Sequence, residues 1–134
     1  MMRRDFQLLT ATRLREAKIL ASAHLYDGAY YFGGLAVECA LKSAIARMTP
    51  RYEFPDLDHA RRVYTHSLET LLKSARLYTT LGAAEADVRE AWSKIKSWNI
   101  EARYQSGREA SEVISFLDAV AGRRGVLRWL KQYW

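Results

Sequence analysis

The chain has one cysteine, Cys39, among 134 residues, so no disulfide can form within it. That absence fits a reducing compartment. Prolines are almost as scarce: Pro50 and Pro55 are the only two, and both fall in one connection. Elsewhere nothing in the covalent chain interrupts a helix. Long apolar runs are missing as well. The longest ends at Glu38, well short of the ~20 residues that span a bilayer. At the start, Met1-Met2-Arg3-Arg4-Asp5-Phe6 carries charge with no apolar stretch behind it, which does not read as a secretory signal. The sequence therefore predicts a soluble, cytoplasmic protein. Strand-like alternation, internal repeats and low-complexity tracts are absent too, which leaves the helical period as the organising signal.

What is present is enough for one core. Hydrophobic residues make up 49% of the chain, and a domain of this length buries roughly two-thirds of the surface that it exposes when unfolded. A formal net charge of +6 leaves room for an acidic partner such as nucleic acid. After Asp118 no acid follows, while Arg123, Arg124, Arg128 and Lys131 do. Those cations can simply favour a helix C-terminus, or they can face a phosphate or a partner.

The periodicity predicts an all-α, largely antiparallel bundle of about five helices plus a short last one, forming a single domain over residues 1–134. The first helix is expected from about Thr10 to His24, with Leu14, Ala17, Ala21 and Leu25 on one face. Asp27 suits the N-cap of a second helix from about Gly28 to Met48. That helix is apolar nearly all round, which places it in the middle of the bundle. Gly33 and Gly34 weaken it by about 1 kcal/mol each against alanine, and close approach of a neighbouring backbone is the expected return. Leu68, Leu71, Leu72 and Ala75 mark a third helix beginning near Thr65–Ser67. Val88, Ala91, Trp92 and Ile95 mark a fourth, and Ala110, Val113, Ile114, Leu117 and Val120 a fifth. Val126, Leu127, Trp129 and Leu130 form the short last one.

Three segments carry a family resemblance. Tyr30-Tyr31-Phe32-Gly33-Gly34-Leu35-Ala36-Val37-Glu38-Cys39-Ala40-Leu41-Lys42 resembles the second helix of bacterial HEPN domains. His66-Ser67-Leu68-Glu69-Thr70-Leu71-Leu72 is similar to their His-x-Leu-x-x-Leu entry into the third helix. Trp98 followed by Arg103-Tyr104 looks like the segment before their last long helix. The resemblance implies a helical bundle that commonly dimerises and often works beside a minimal nucleotidyltransferase in two-gene toxin–antitoxin systems. Active members are metal-independent ribonucleases with an arginine, four to six residues and then a histidine. Imidazole supplies the acid and base for attack by the RNA 2′-hydroxyl, and guanidinium supplies a fixed cation for the phosphate.

This chain departs from that motif. Arg103 stands in the matching place, but Gly107, Arg108, Glu109 and Ala110 follow it, and no histidine comes later. Arg61 and His66 have the formal spacing, but they lie ahead of the third helix. His66 is otherwise expected to cap or anchor that helix. Arg103 and Tyr104 can bond loop groups and fill the core edge, or bind a phosphate and a base. Glu38 and Lys42 can pair within their helix, and Glu38, charged on an apolar helix, needs a buried partner, for which Arg103 is the expected candidate. Trp129, Tyr133 and Trp134 can pack in the core or form a partner surface. Cys39 reads as a small buried hydrophobe. No metal-ligand spacing, phosphate loop or catalytic triad is seen, so no cofactor or metal is expected. The expected function is a non-catalytic HEPN-like module that binds a nucleotide, RNA or a nucleotidyltransferase partner as a homodimer. The alternatives are a ribonuclease toxin with a non-standard motif and a structural dimerisation protein.

Overall fold

The computed structural model describes residues 2–49 and 64–134, and those residues form an all-α bundle with no strand among them. The helices are α1 (Arg3–Ser22), α2 (Tyr26–Met48), α3 (Leu68–Ser74), α4 (Tyr78–Gly82) and α5 (Ala86–Ile95). A 3₁₀ helix (Ile100–Tyr104), α6 (Ala110–Ala121) and α7 (Val126–Leu130) complete them.

Helix α1 starts at Arg3, a full two turns before the expected Thr10. The Asp5 carboxylate accepts from the Met2 amide at 2.8 Å and closes the first turn. Thr10, the expected start, lies inside the helix, and its hydroxyl donates to the Phe6 carbonyl at 2.8 Å. At the other end the chain reverses through His24, at φ 60. The His24 amide donates to Ala21 and the Leu25 amide to Leu20, at 3.0 and 2.8 Å. This is the bonding pattern of a Schellman motif with a non-glycine residue in the left-handed position. Arg76 (φ 57) does the same after α3, with Leu77 donating back to Leu72. It splits the expected third helix from α4.

Helix α2 lies at the centre, packed by α1, α3, α6, α7 and the 3₁₀ helix. Ala29, Ala36, Val37, Ala40 and Leu41 are fully buried along it. The expected core residues Leu68, Leu71, Leu72, Ile95, Val113, Val120, Val126 and Leu130 meet there. Ile114 does not: it is exposed, and Phe116 and Ala119 fill the inner face of α6 instead. Gly33 and Gly34 of α2 admit side chains, not a backbone. A Cβ on Gly33 would lie 2.8 Å from Leu117, and one on Gly34 would lie 2.0 Å from the Trp98 indole. Trp98 seated on Gly34 brings the 3₁₀ helix against α2, and Ala102 anchors it.

Candidate functional site

The one charged side chain in the described core belongs to Glu38, which is 5% exposed on α2. A carboxylate removed from water needs hydrogen-bonding partners and a countercharge. Lys42, one turn on, supplies the charge, its Nζ 3.4 Å from Oε2. His66, from the entry to α3, supplies the hydrogen bond, its Nδ1 2.7 Å from Oε1. An ionised carboxylate only accepts, so Nδ1 carries the hydrogen and Nε2 of a neutral ring keeps its lone pair. The His66 side chain is half-exposed, with the Glu38 and Lys42 side chains largely buried beneath it. Ser67 caps α3 by accepting from the Thr70 amide, which leaves the His66 ring for Glu38. The arrangement is an imidazole oriented by a buried carboxylate beside an ammonium.

Arg103 is not the partner of Glu38. Both Arg103 and Tyr104 are exposed, and the guanidinium carbon lies 4.8 Å from the centre of the tyrosine ring. Of the two readings of Tyr104, filling of the core edge does not hold: the ring is 73% exposed. Its buried neighbour Ala102 takes the inward position of the short 3₁₀ turn, which leaves Tyr104 directed out. An exposed tyrosine with a guanidinium over it offers a stacking face and an anion-binding fork at one place.

The loop after Tyr104 is built by residues that the sequence assigned elsewhere. Asp27 is not the N-cap of α2, because the helix begins at Tyr26. Its two carboxylate oxygens instead accept from the amides of Gly107 and Arg108, at 3.1 and 3.0 Å. Arg108 lies over the Tyr30 ring, 3.5 Å from its centre, and bonds Gln105 at 2.6 Å and Glu112 at 3.0 Å. Gly107, at φ 85, occupies a conformation that glycine adopts without strain.

The aromatic cluster at the end of the sequence packs within the chain. Trp129 is buried in the core, and Tyr133 and Trp134 lie half-buried against it. The Trp134 carbonyl accepts from Arg3, Gln7 and Ser43, which ties this segment to α1 and α2. The expected partner surface there is thus largely consumed by intramolecular packing. The basic run is engaged too: Arg124 pairs with Asp87 at 2.6 Å, Arg128 donates to the Arg123 carbonyl, and Lys131 lies over Trp134. Arg61 and His59 fall outside the described residues. Groups of three or more potential metal ligands are absent among the described residues, and no described helix is long and apolar enough to cross a membrane.

Burial pushes the Cys39 thiol from 9.0 up to about 11, and the adjacent Glu38 carboxylate adds to the shift. The Tyr30 phenol is likewise raised above 10.0, mainly by burial, with Arg108 opposing and Glu112 assisting. Both groups hold their protons more tightly folded than unfolded. Their contribution is therefore present below the unfolded values and is lost as pH rises through the folded ones. Urea midpoints are expected to decline between about pH 9 and about pH 11, and Cys39→Ala should flatten part of that decline. An equally steep decline in Cys39→Ala would show that the thiol contributes nothing to it.

Comparison with protein-family models, with curated proteins and with solved structures gives no match.

Proposed function

We propose that this chain is an HEPN-like binding module for RNA or a nucleotide, acting as a homodimer and beside a nucleotidyltransferase partner. The observation that carries this reading is the exposed Arg103–Tyr104 stack on a chain of net charge +6. A phosphate needs a fork of N–H donors and a base needs an aromatic face, and these two residues offer both side by side. Glu38 and Lys42 on the central helix, with His66 from the entry to α3, add a second polar group. For dimerisation, exposed Leu8 and Ile19 on α1 are consistent with a helix-face contact. Binding of labelled single-stranded RNA should weaken about tenfold in Arg103→Ala and in Tyr104→Ala, in line with one lost stacking or charge-assisted contact. Arg103→Ala alone should also lower the salt dependence by about one phosphate contact. Binding that is indifferent to both substitutions would refute the reading.

One observation favours a second reading, an RNA-cleaving enzyme: Glu38 holds His66 as an orienting carboxylate holds a general base. No histidine follows Arg103 to work with it. Metal-independent cleavage abolished by His66→Ala would establish this second reading in place of the first.

A further inference from the structure

Tyr104 is suspended between two anchors. On one side Ala102 is buried against the core. On the other, two residues beyond Gln105, the chain is pinned by Asp27 through consecutive amides, across 80 and 81 positions of sequence. Asp27 lies in the first turn of α2, where an acidic side chain ordinarily serves the helix's own unsatisfied amides. Here both oxygens serve the loop, and the N-cap position, Leu25, makes no side-chain bond. Arg108 repeats the attachment from its side chain, lying on Tyr30, one turn along α2 from Asp27, while holding Gln105. Every residue from Gln105 to Arg108 but Ser106 is thus tied by a side chain or an amide to a partner.

We propose that Asp27 is the positioning residue of the Arg103–Tyr104 surface: by fixing the loop at Gly107 and Arg108, it holds the tyrosine face and the guanidinium ready for an unstacked base and its phosphate. The inference rests on the nucleic-acid reading of those two residues. A ligand that meets a prearranged pair does not lose binding energy to ordering it. The chemistry also selects the ligand: a tyrosine ring can stack only a base whose own face is open, so the surface takes unpaired nucleotides and not the interior of a duplex.

The sign of the effect separates positioning from electrostatics. Removing the negative charge of Asp27 from a phosphate-binding surface should by itself tighten binding. Loss of positioning should weaken it. The experiment measures anisotropy of a labelled oligouridine with wild type, Asp27→Asn, Asp27→Ala and Arg103→Ala, together with hydrogen exchange at the Gly107 and Arg108 amides. Asp27→Ala is expected to weaken binding about tenfold and Asp27→Asn by less, since its amide keeps one acceptor oxygen. Both should leave the salt slope unchanged, while both amides lose protection in Asp27→Ala and one of them in Asp27→Asn. If the alanine variant does not fold, the asparagine variant carries the test. Unchanged or tighter binding in Asp27→Asn, with Arg103→Ala still impaired, would overturn the inference and leave the proposed function standing. Wild type that does not bind, or that is indifferent to Arg103→Ala, would overturn both.

Discussion

Gly34→Ala is expected to destabilise the protein by about 3 kcal/mol, the upper range for forcing an atom into a packed core. Elsewhere in a helix the same change would stabilise by about 1 kcal/mol. The difference is Trp98. A Cβ at residue 34 would lie 2.0–2.2 Å from three atoms of its indole, which is rigid and 3% exposed. The ring cannot swing aside as a flexible chain end would, so the 3₁₀ helix must move off α2. Trp98 Nε1 is buried without a hydrogen-bond partner among the described residues, so packing alone holds the ring. Urea denaturation provides the check. A loss under 1 kcal/mol would contradict this packing. The double variant Gly34→Ala/Trp98→Leu should be more stable than the sum of its single changes, because shortening residue 98 removes the clash.

Glu38→Ala is expected to lose about 3–5 kcal/mol, the range for leaving one half of a buried pair without its counterion. The penalty arises less from the missing bond than from Lys42, whose side chain is 13% exposed and would keep its charge with no carboxylate beside it. Adding Lys42→Met should therefore restore much of the loss. Glu38→Gln should fall between wild type and Glu38→Ala, since its carbonyl oxygen can still accept from His66. Full stability in Glu38→Ala would mean that Lys42 finds solvent by itself, and would remove the basis for a built polar site.

Apolar pattern carried a great deal of this fold into view. Helix α2 reads as central because its apolar residues point in every direction, and Leu68, Leu71 and Leu72 identify α3, whose cap is Ser67 while His66, expected to cap or anchor it, bonds Glu38. The end of α1 was read at about His24, close to Ser22 where it falls, while its start was read two turns late. Arg76 ends α3 in a left-handed conformation where glycine is the usual signal, so that end is not marked by residue type. Ile114 shares the apolar stripe of α6 yet faces solvent, because periodicity defines a face but not its full width. Within the site the Glu38–Lys42 pair was legible from its one-turn spacing, and the long-range pairs were not. Glu38 required a partner by charge alone, but the choice of His66 over Arg103 depends on where the entry to α3 lies across 28 positions of sequence. Asp27 was the harder case. An aspartate beside a helix start has an obvious local use, and nothing local reveals that its oxygens serve amides 80 residues away.

The most direct test of the account is one assay: a fluorescent single-stranded RNA panel in EDTA, read together for anisotropy and for cleavage, with wild type, Arg103→Ala and His66→Ala. Expected are salt-sensitive binding by wild type, binding weakened about tenfold in Arg103→Ala, and no turnover in any of the three. Turnover by wild type that disappears in His66→Ala would contradict it, and would make the imidazole held by Glu38 the working centre of the protein.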